Sequence, residues 1–476
     1  MSAGAPHDDA GGRGPQSTGS AAGLRASLSG LTTRGRSFLA AGIAAGLCAY
    51  VLGQSELLRV GLLLAVLPLL CVLALHRTRH RVSGNRRLTP MRVPAGSEAR
   101  VQLRLDNTSR MPTGLLMLQD RVPYVLGPRP RFVLDRVEPG GRRDVSYRVR
   151  SDLRGRYPLG PLQLRLTDPF GLVELTRSFS AYDTLTVIPR TEALPLVRFT
   201  GESSGYGDGS RRSLALAGED DVIPRGYRRG DDLRRVHWRS TARYGELMVR
   251  REEQPQRSRA TVVLDTRRLA YEGAGPDSAF EWAVSAAAST LVHLLEQGFS
   301  VRLLTDTGDC VPREGGGFTS GGQESAEATG LLMDTLAVIG HSDGAGLSRA
   351  CDAVRSNGTG SGFGGAGGDG LLIAFFGDLD DVQTGLAARM CRRGGGAVAF
   401  VLDSADWSGR PQGLASVMSA MSEGVPPLEE RLAALRDAGW TALAAPPGVA
   451  FGELWRQAGN APIGAAGGSG SAGGWG

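Results

Sequence analysis

Three hydrophobic rhythms follow one another along this chain. Residues 37–53 are apolar almost without interruption, and residues 57–75 are apolar apart from Arg59. A helix needs roughly 17 to 25 such residues to cross the hydrocarbon layer, so the pattern predicts a transmembrane hairpin over residues 34–75. Only Gln54, Ser55 and Glu56 lie between the two runs, and so short a link forces them side by side. Pro68 falls within the second run, where helices in lipid tolerate it, and Arg59 can carry its charge to the interface.

From residue 88 to 190 the period becomes two. Val101, Leu103 and Leu105 alternate with polar neighbours, as do Val145, Tyr147 and Val149, then Leu162, Leu164 and Leu166. Runs at 115–118, 132–137, 172–179 and 185–188 add further strands, separated by turn signals such as Pro139-Gly140-Gly141 and Asp168-Pro169-Phe170-Gly171. About seven short strands with punctuated turns predict a small antiparallel β-sandwich of immunoglobulin-like size.

Beyond residue 260, apolar strand runs alternate with helical stripes. Strands are predicted at 261–264, 301–304, 371–376, 397–402 and 441–444. Helices are predicted from Ser278, with Glu281 completing a capping box and Gly298 ending it, and at 326–339, 382–391 and 428–438. That alternation predicts a doubly wound, mostly parallel α/β domain over 260–460. Residues 1–29 and 461–476 are tails rich in small residues, and 191–259 form a separate Arg-rich segment.

Charge refines the picture. All 54 basic residues are Arg, and the formal net charge is +6. Arg77, Arg79, Arg81, Arg86, Arg87 and Arg92 follow the second apolar run with no acid among them. Together with Arg25, Arg34 and Arg36 before the hairpin, they favour both termini in the cytoplasm, with the hairpin in the inner or plasma membrane. The competing reading is an export signal. It conflicts with Gly35 between the two Arg, a poor lipoprotein box before Cys48, and a second run that would halt transfer. Because the excess charge sits beside the membrane, anionic lipid accounts for it and nucleic acid is not expected as a partner. The five Cys form no close pair, which argues against a disulfide framework or a zinc site and for a reducing compartment.

The densest chemistry lies in the Arg-rich segment: Arg225, Tyr227, Arg228, Gly230, Asp231, Asp232, Arg234, His237, Trp238 and Arg243. Guanidinium groups can grip carboxylates with paired hydrogen bonds, and Arg can stack on Trp or Tyr faces. Such a block serves either as a recognition surface or anion pocket, or as an internal charge clamp. His237 has no nucleophile paired with it in sequence, so no catalytic set is assigned and the chain is read as not an enzyme. The alternative is a hydrolase that binds an anion among Arg225–Arg243, with His237 carrying the proton.

The two spans, Asp168-Pro169-Phe170-Gly171-Leu172, Val187-Ile188-Pro189 and the block from Gly226 to Arg243 resemble the bacterial domain-of-unknown-function 58 family. The resemblance implies a von Willebrand factor A-like C-terminal fold. It also implies a neighbourhood of MoxR-type AAA+ ATPases and transglutaminase-like membrane proteins, and no agreed biochemical activity. The chain is accordingly read as a membrane-tethered interaction or scaffold protein with such an ATPase as partner and no cofactor. Asp265, Asp306, Asp378 and Asp403 fall at the carboxyl ends of predicted strands, where α/β folds bind ligands. By the same resemblance, Asp265 opens a loop that would hold Mg²⁺ through hydroxyls at positions here occupied by Arg267 and Leu269. No metal site is expected, and Asp265 is expected to pair with an Arg or cap its own turn. His293, among leucines of a helix, is expected to be a core residue.

Overall fold

The computed structural model describes residues 30–79, 82–110, 112–168, 170–197, 199, 224–227, 236, 238–250, 259–311, 323–356, 370–391, 396–408 and 425–460. Its contacts divide the chain into two units, one of residues 1–152 and 156–187, the other of 153–155 and 188–476.

In the first unit, helix α1 (Thr33–Leu52) is capped by Thr32, whose hydroxyl accepts from the Gly35 N–H at 3.2 Å. It ends at Gly53, which takes a left-handed conformation (φ 65°) that releases the chain into α2 (Ser55–Arg79). Both helices are long and apolar enough to cross a membrane, and most of their apolar surface is exposed. They pack as a hairpin through glycine. A Cβ on Gly61 would stand 2.8 Å from the Gly46 nitrogen, and one on Gly42 would stand 2.6 Å from the Ala65 nitrogen. Without a hydrophobic driving force in lipid, such close backbone approach is what holds helices together.

Ten strands follow: β1 (Val82–Thr89), β2 (Arg92–Pro94), β3 (Glu98–Asn107), β4 (Leu115–Asp120), β5 (Arg131–Leu134), β6 (Arg142–Arg150), β7 (Gly155–Leu159), β8 (Leu162–Thr167), β9 (Glu174–Phe179) and β10 (Asp183–Ile188). They form sheets in the orders β1-β3-β6, β2-β10-β7 and β5-β4-β8-β9. The inward positions of the period-two runs, among them Val101, Leu103, Leu116, Leu118, Leu164 and Leu166, share one core. The lower part of α2 joins that core through Cys71, Val72 and Leu75.

Three strands, β1, β2 and β7, lie outside the sequence expectation. The sequence places Val82 to Thr89 in a basic membrane flank, because its Arg residues follow an apolar run with no acid among them; the structure makes this stretch a strand instead. Arg86 points inward and is buried, its Nη2 2.6 Å and its Nε 2.9 Å from the two carboxylate oxygens of Asp120. Its Nη1 reaches the Leu159 carbonyl at 2.8 Å and Asp183 at 3.1 Å. Arg86 is therefore an internal structural cation and not part of a lipid-facing cluster.

The second unit holds a short hairpin of β11 (Pro224–Gly226) with β12 (Met248–Arg250), with α3 (Trp238–Tyr244) between them in sequence. Its main element is a six-stranded sheet of β13 (Arg259–Leu264), β14 (Ser300–Thr305), β15 (Cys310–Val311), β16 (Leu371–Phe376), β17 (Ala397–Val401) and β18 (Thr441–Ala444). The order is β15-β14-β13-β16-β17-β18, parallel throughout except β15. The helices are α4 (Ala279–Glu296), α5 (Gln323–Val338), α6 (Ser348–Ser356), α7 (Asp381–Met390), α8 (Ser404–Trp407), α9 (Leu428–Asp437) and α10 (Phe451–Asn460). One face of the sheet presents Val262, Leu303, Ile373 and Phe400 to α4, α5 and α10. The other presents Val263, Leu304, Ala374 and Val401 to α6, α7 and α9. This is the doubly wound arrangement expected, because strands buried on both faces read as unbroken apolar runs. His293 is buried in α4 with its ring 5.6 Å from that of Trp455, in the core as expected.

Candidate functional site

Two places carry the chemistry singled out in the sequence. The first is the carboxyl end of the parallel sheet. β13 and β16 are adjacent strands whose connections run to opposite sides, the topological switch point at which ligands bind in α/β folds. Asp265 follows β13, and its backbone N–H bonds to the Phe375 carbonyl at 3.0 Å. Its carboxylate is fully buried. Arg267 grips that carboxylate with Nε at 3.0 Å and Nη2 at 2.7 Å, and the Arg267 backbone N–H reaches the same group at 3.1 Å. Both expectations for Asp265 are thus met at once, pairing and turn-capping. Burial holds the Asp265 carboxyl above its ordinary range, with the Arg267 guanidinium opposing only part of that rise.

Asp306, after β14, accepts from the Thr266 N–H at 2.9 Å, from the Thr266 hydroxyl, and from the Ser342 hydroxyl at 2.6 Å. Asp378, after β16, accepts from the Ser404 hydroxyl and from Arg431 Nη1 at 3.1 Å. Arg431 also donates to Asp403 at 2.6 Å, and Asp403 caps α8 by accepting from the Ala405 N–H at 3.0 Å. Burial raises the Asp378 carboxyl as well, and the Ser404 hydrogen bond and Arg431 oppose only part of the rise. The fold therefore brings all four carboxylates to one end of the sheet and supplies each with donors of its own.

A divalent cation there would need a shell of oxygen ligands at the face of Asp265. Arg267 occupies that face, and its Nη2 also donates to the Asp378 carbonyl at 3.0 Å. The residues do not fit a bound metal ion. Arg431, Thr266, Ser342 and Ser404 escaped the sequence reading. Arg431 carried a signal nonetheless: it is a charged residue four positions before Leu435, on the buried stripe of α9.

The second place is the Arg-rich segment. Of its predicted residues, Arg228, Gly230, Asp231, Asp232, Arg234 and His237 lie outside the described residues. Arg225 lies in β11, paired with Val249 of β12, and the Tyr227 N–H bonds to the Leu247 carbonyl at 2.8 Å. Val236 bridges Val249 from within the hairpin. The Met248 N–H bonds to the Thr241 hydroxyl at 3.1 Å, tying α3 to β12. This small scaffold leaves large side chains in solvent: Trp238 is 71% exposed, Tyr244 64%, and Tyr227 and Leu247 about two-fifths. Arg239 and Arg243 are exposed beside them.

Residues 224–362 match the model of the family described as protein of unknown function DUF58. The Bacillus subtilis (strain 168) protein named "Uncharacterized protein YeaD" is 25% identical over 267 residues, covering 54% of this chain and 64% of its own length. This chain thus spans less than two thirds of that relative. Among solved structures, the CARDB domain of a Pyrococcus furiosus protein aligns with 11% identity over 23% of this chain and 94% of its own, with a TM-score of 0.18. The sporulation control protein Spo0M of Bacillus subtilis aligns with 12% identity over 22% and 49%, with a TM-score of 0.15. The family resemblance drawn from the sequence stands.

Proposed function

We propose that this chain, a DUF58 protein through residues 224–362, is a membrane-tethered interaction protein that works by contact, with its sheet units in the cytoplasm. The exposed Trp238 and Tyr244 carry the reading. Large aromatic rings left in water beside Arg are the residue types that dominate binding energy at protein interfaces. The carboxyl end of the sheet supports it from the other side, since its carboxylates are already bonded to Arg267, Arg431 and neighbouring hydroxyls. The strand order β15-β14-β13-β16-β17-β18, with its antiparallel edge strand, supports a von Willebrand factor A-like reading of the second unit. By family resemblance the partner is a MoxR-type AAA+ ATPase.

Capture from membranes solubilised in mild detergent tests this. The full chain recovers the ATPase, and the double variant Trp238→Ala, Tyr244→Ala loses it. Truncating one hot-spot ring costs about 2 kcal/mol or more, about thirtyfold in affinity. Undiminished capture by the double variant would remove the proposed surface. Failure of the unaltered chain to capture the ATPase would remove the proposed partner.

A further inference from the structure

The turn at residues 168–172 is built against the start of the first span. The Thr32 N–H bonds to the Leu172 carbonyl at 3.0 Å, and the Thr32 hydroxyl donates to the Gly171 carbonyl at 2.7 Å. Leu31 bridges Val173, and the Glu174 N–H bonds to the Gly30 carbonyl at 2.8 Å. The approach is too close for a side chain, since a Cβ on Gly35 would stand 2.2 Å from the Leu172 oxygen. Asp168 holds the turn itself, its carboxylate accepting from the Phe170 N–H at 3.1 Å and the Val173 N–H at 2.7 Å.

This contact sets a depth. A helix of 20 residues spans about 30 Å, the thickness of the hydrocarbon layer, so the first turn of α1 marks one boundary of that layer. The second helix agrees. Cys71, Val72 and Leu75 of α2 are covered by the same core that includes Leu31, Leu172 and Val173, so protein rather than lipid coats that end of the pair. At this level Phe170 is 60% exposed, although its own N–H and that of Gly171 bond back to Asp168. Arg34 and Arg36 are exposed on the adjoining turn of α1, and Arg34 Nη1 lies 3.9 Å from where a Cβ on Gly171 would be.

We infer that the turn at 168–172 is itself a bilayer contact: Phe170 enters the boundary between headgroups and acyl chains, with Arg34 and Arg36 at the level of the lipid phosphates. An exposed ring at that depth gains by leaving water, and guanidinium groups at the phosphate level gain electrostatically. The inference rests on reading α1 and α2 as membrane spans. It adds that the first sheet unit stands on the lipid surface and does not hang from it by a linker.

The test uses the full chain, reconstituted into vesicles of phosphatidylcholine and phosphatidylglycerol. Benzoylphenylalanine, a photoreactive analogue, replaces Phe170, Leu63 or Tyr124 in turn, and lipid adducts are read by mass spectrometry. Leu63 is an exposed residue midway along α2, and Tyr124 is 91% exposed beyond the opposite end of β4, which leads away from the turn. Adducts at 63 and 170, with none at 124, are expected. An adduct at 63 without one at 170 overturns the inference and leaves the anchor standing, as would equal yields at 170 and 124. Absence of an adduct at 63 overturns the spanning assignment first, and this inference with it.

Discussion

Arg267 lies along the carboxylate of Asp265, its Nε 3.0 Å from one oxygen and its Nη2 2.7 Å from the other. The two groups are only two residues apart in the chain, yet they occupy the switch point at the carboxyl end of the parallel sheet. The loop brings its own cation to a carboxylate that the fold has removed from water. Removing Arg267 therefore strands a buried charge. Arg267→Met is expected to cost about 3–5 kcal/mol, read as a lower urea midpoint for the α/β transition of the full chain in detergent. Asp265→Asn in the same chain should restore most of that loss, since the amide no longer needs a cation. A midpoint shift no larger than that of the exposed control Arg243→Met would show that the pair does not hold the loop.

Arg86 makes the corresponding prediction for the first unit. It is buried with Asp120, whereas Arg104 and Asp144 pair at 3.1 Å with both side chains more than half exposed. Taking Arg86 to Met should cost about 3–5 kcal/mol, because Asp120 remains without its charge partner. Taking Arg104 to Met should cost at most about 1 kcal/mol, because water and salt screen that pair. Equal effects on thermal unfolding would contradict the assignment of Arg86 as an internal cation.

The hairpin of spans makes a geometric prediction. Gly61→Leu should force the helices apart, since even a Cβ there meets the Gly46 nitrogen at 2.8 Å. Gly46→Ala should be tolerated, since a Cβ on Gly46 meets nothing within 4 Å. Spin labels at positions 50 and 58, in a chain whose Cys48 is replaced by Ala, report the separation. An unchanged distance in Gly61→Leu would refute the packing.

His293 predicts a pH dependence. Burial holds its pKa below the ordinary 6.5, with nearby Glu296 opposing the shift. The unfolded chain therefore takes up a proton near pH 6.5 while the folded α/β unit resists, so the unfolded state binds more protons just below that pH. This contribution to stability is complete above about pH 6.5 and declines as pH falls toward the folded value, by at most about 1.4 kcal/mol per pH unit. His293→Leu should flatten the slope of melting temperature between about pH 7 and 5.5. An unaltered slope in that variant would assign the dependence to other groups.

Much of the architecture could be read before any coordinates. The apolar runs near 37–53 and 57–75 became α1 and α2, and the seven alternating runs became β3, β4, β5, β6, β8, β9 and β10. Ser278 caps α4 as expected, its hydroxyl accepting from the Glu281 N–H at 3.4 Å, but the Ser278 N–H bonds to the Gly275 carbonyl at 3.2 Å, so only half of the expected capping box forms. Elements without a periodic apolar signal escaped. β1 uses Arg86 as an inward residue, and α6 (SRACDAVRS) buries little beyond Ala350 and Cys351.

Periodicity alone determined which segments form long apolar helices, which pleat and which wind into α/β, because each of those structures imposes its own spacing on apolar residues. What the tertiary structure decided was partnership across long gaps in sequence. It set Arg431 between Asp378 and Asp403, Asp120 beneath Arg86, and the turn at 168–172 against Thr32. Local sequence spacing cannot encode these choices. They are made where packed elements converge and a buried charge or carbonyl must find a partner or pay its desolvation cost.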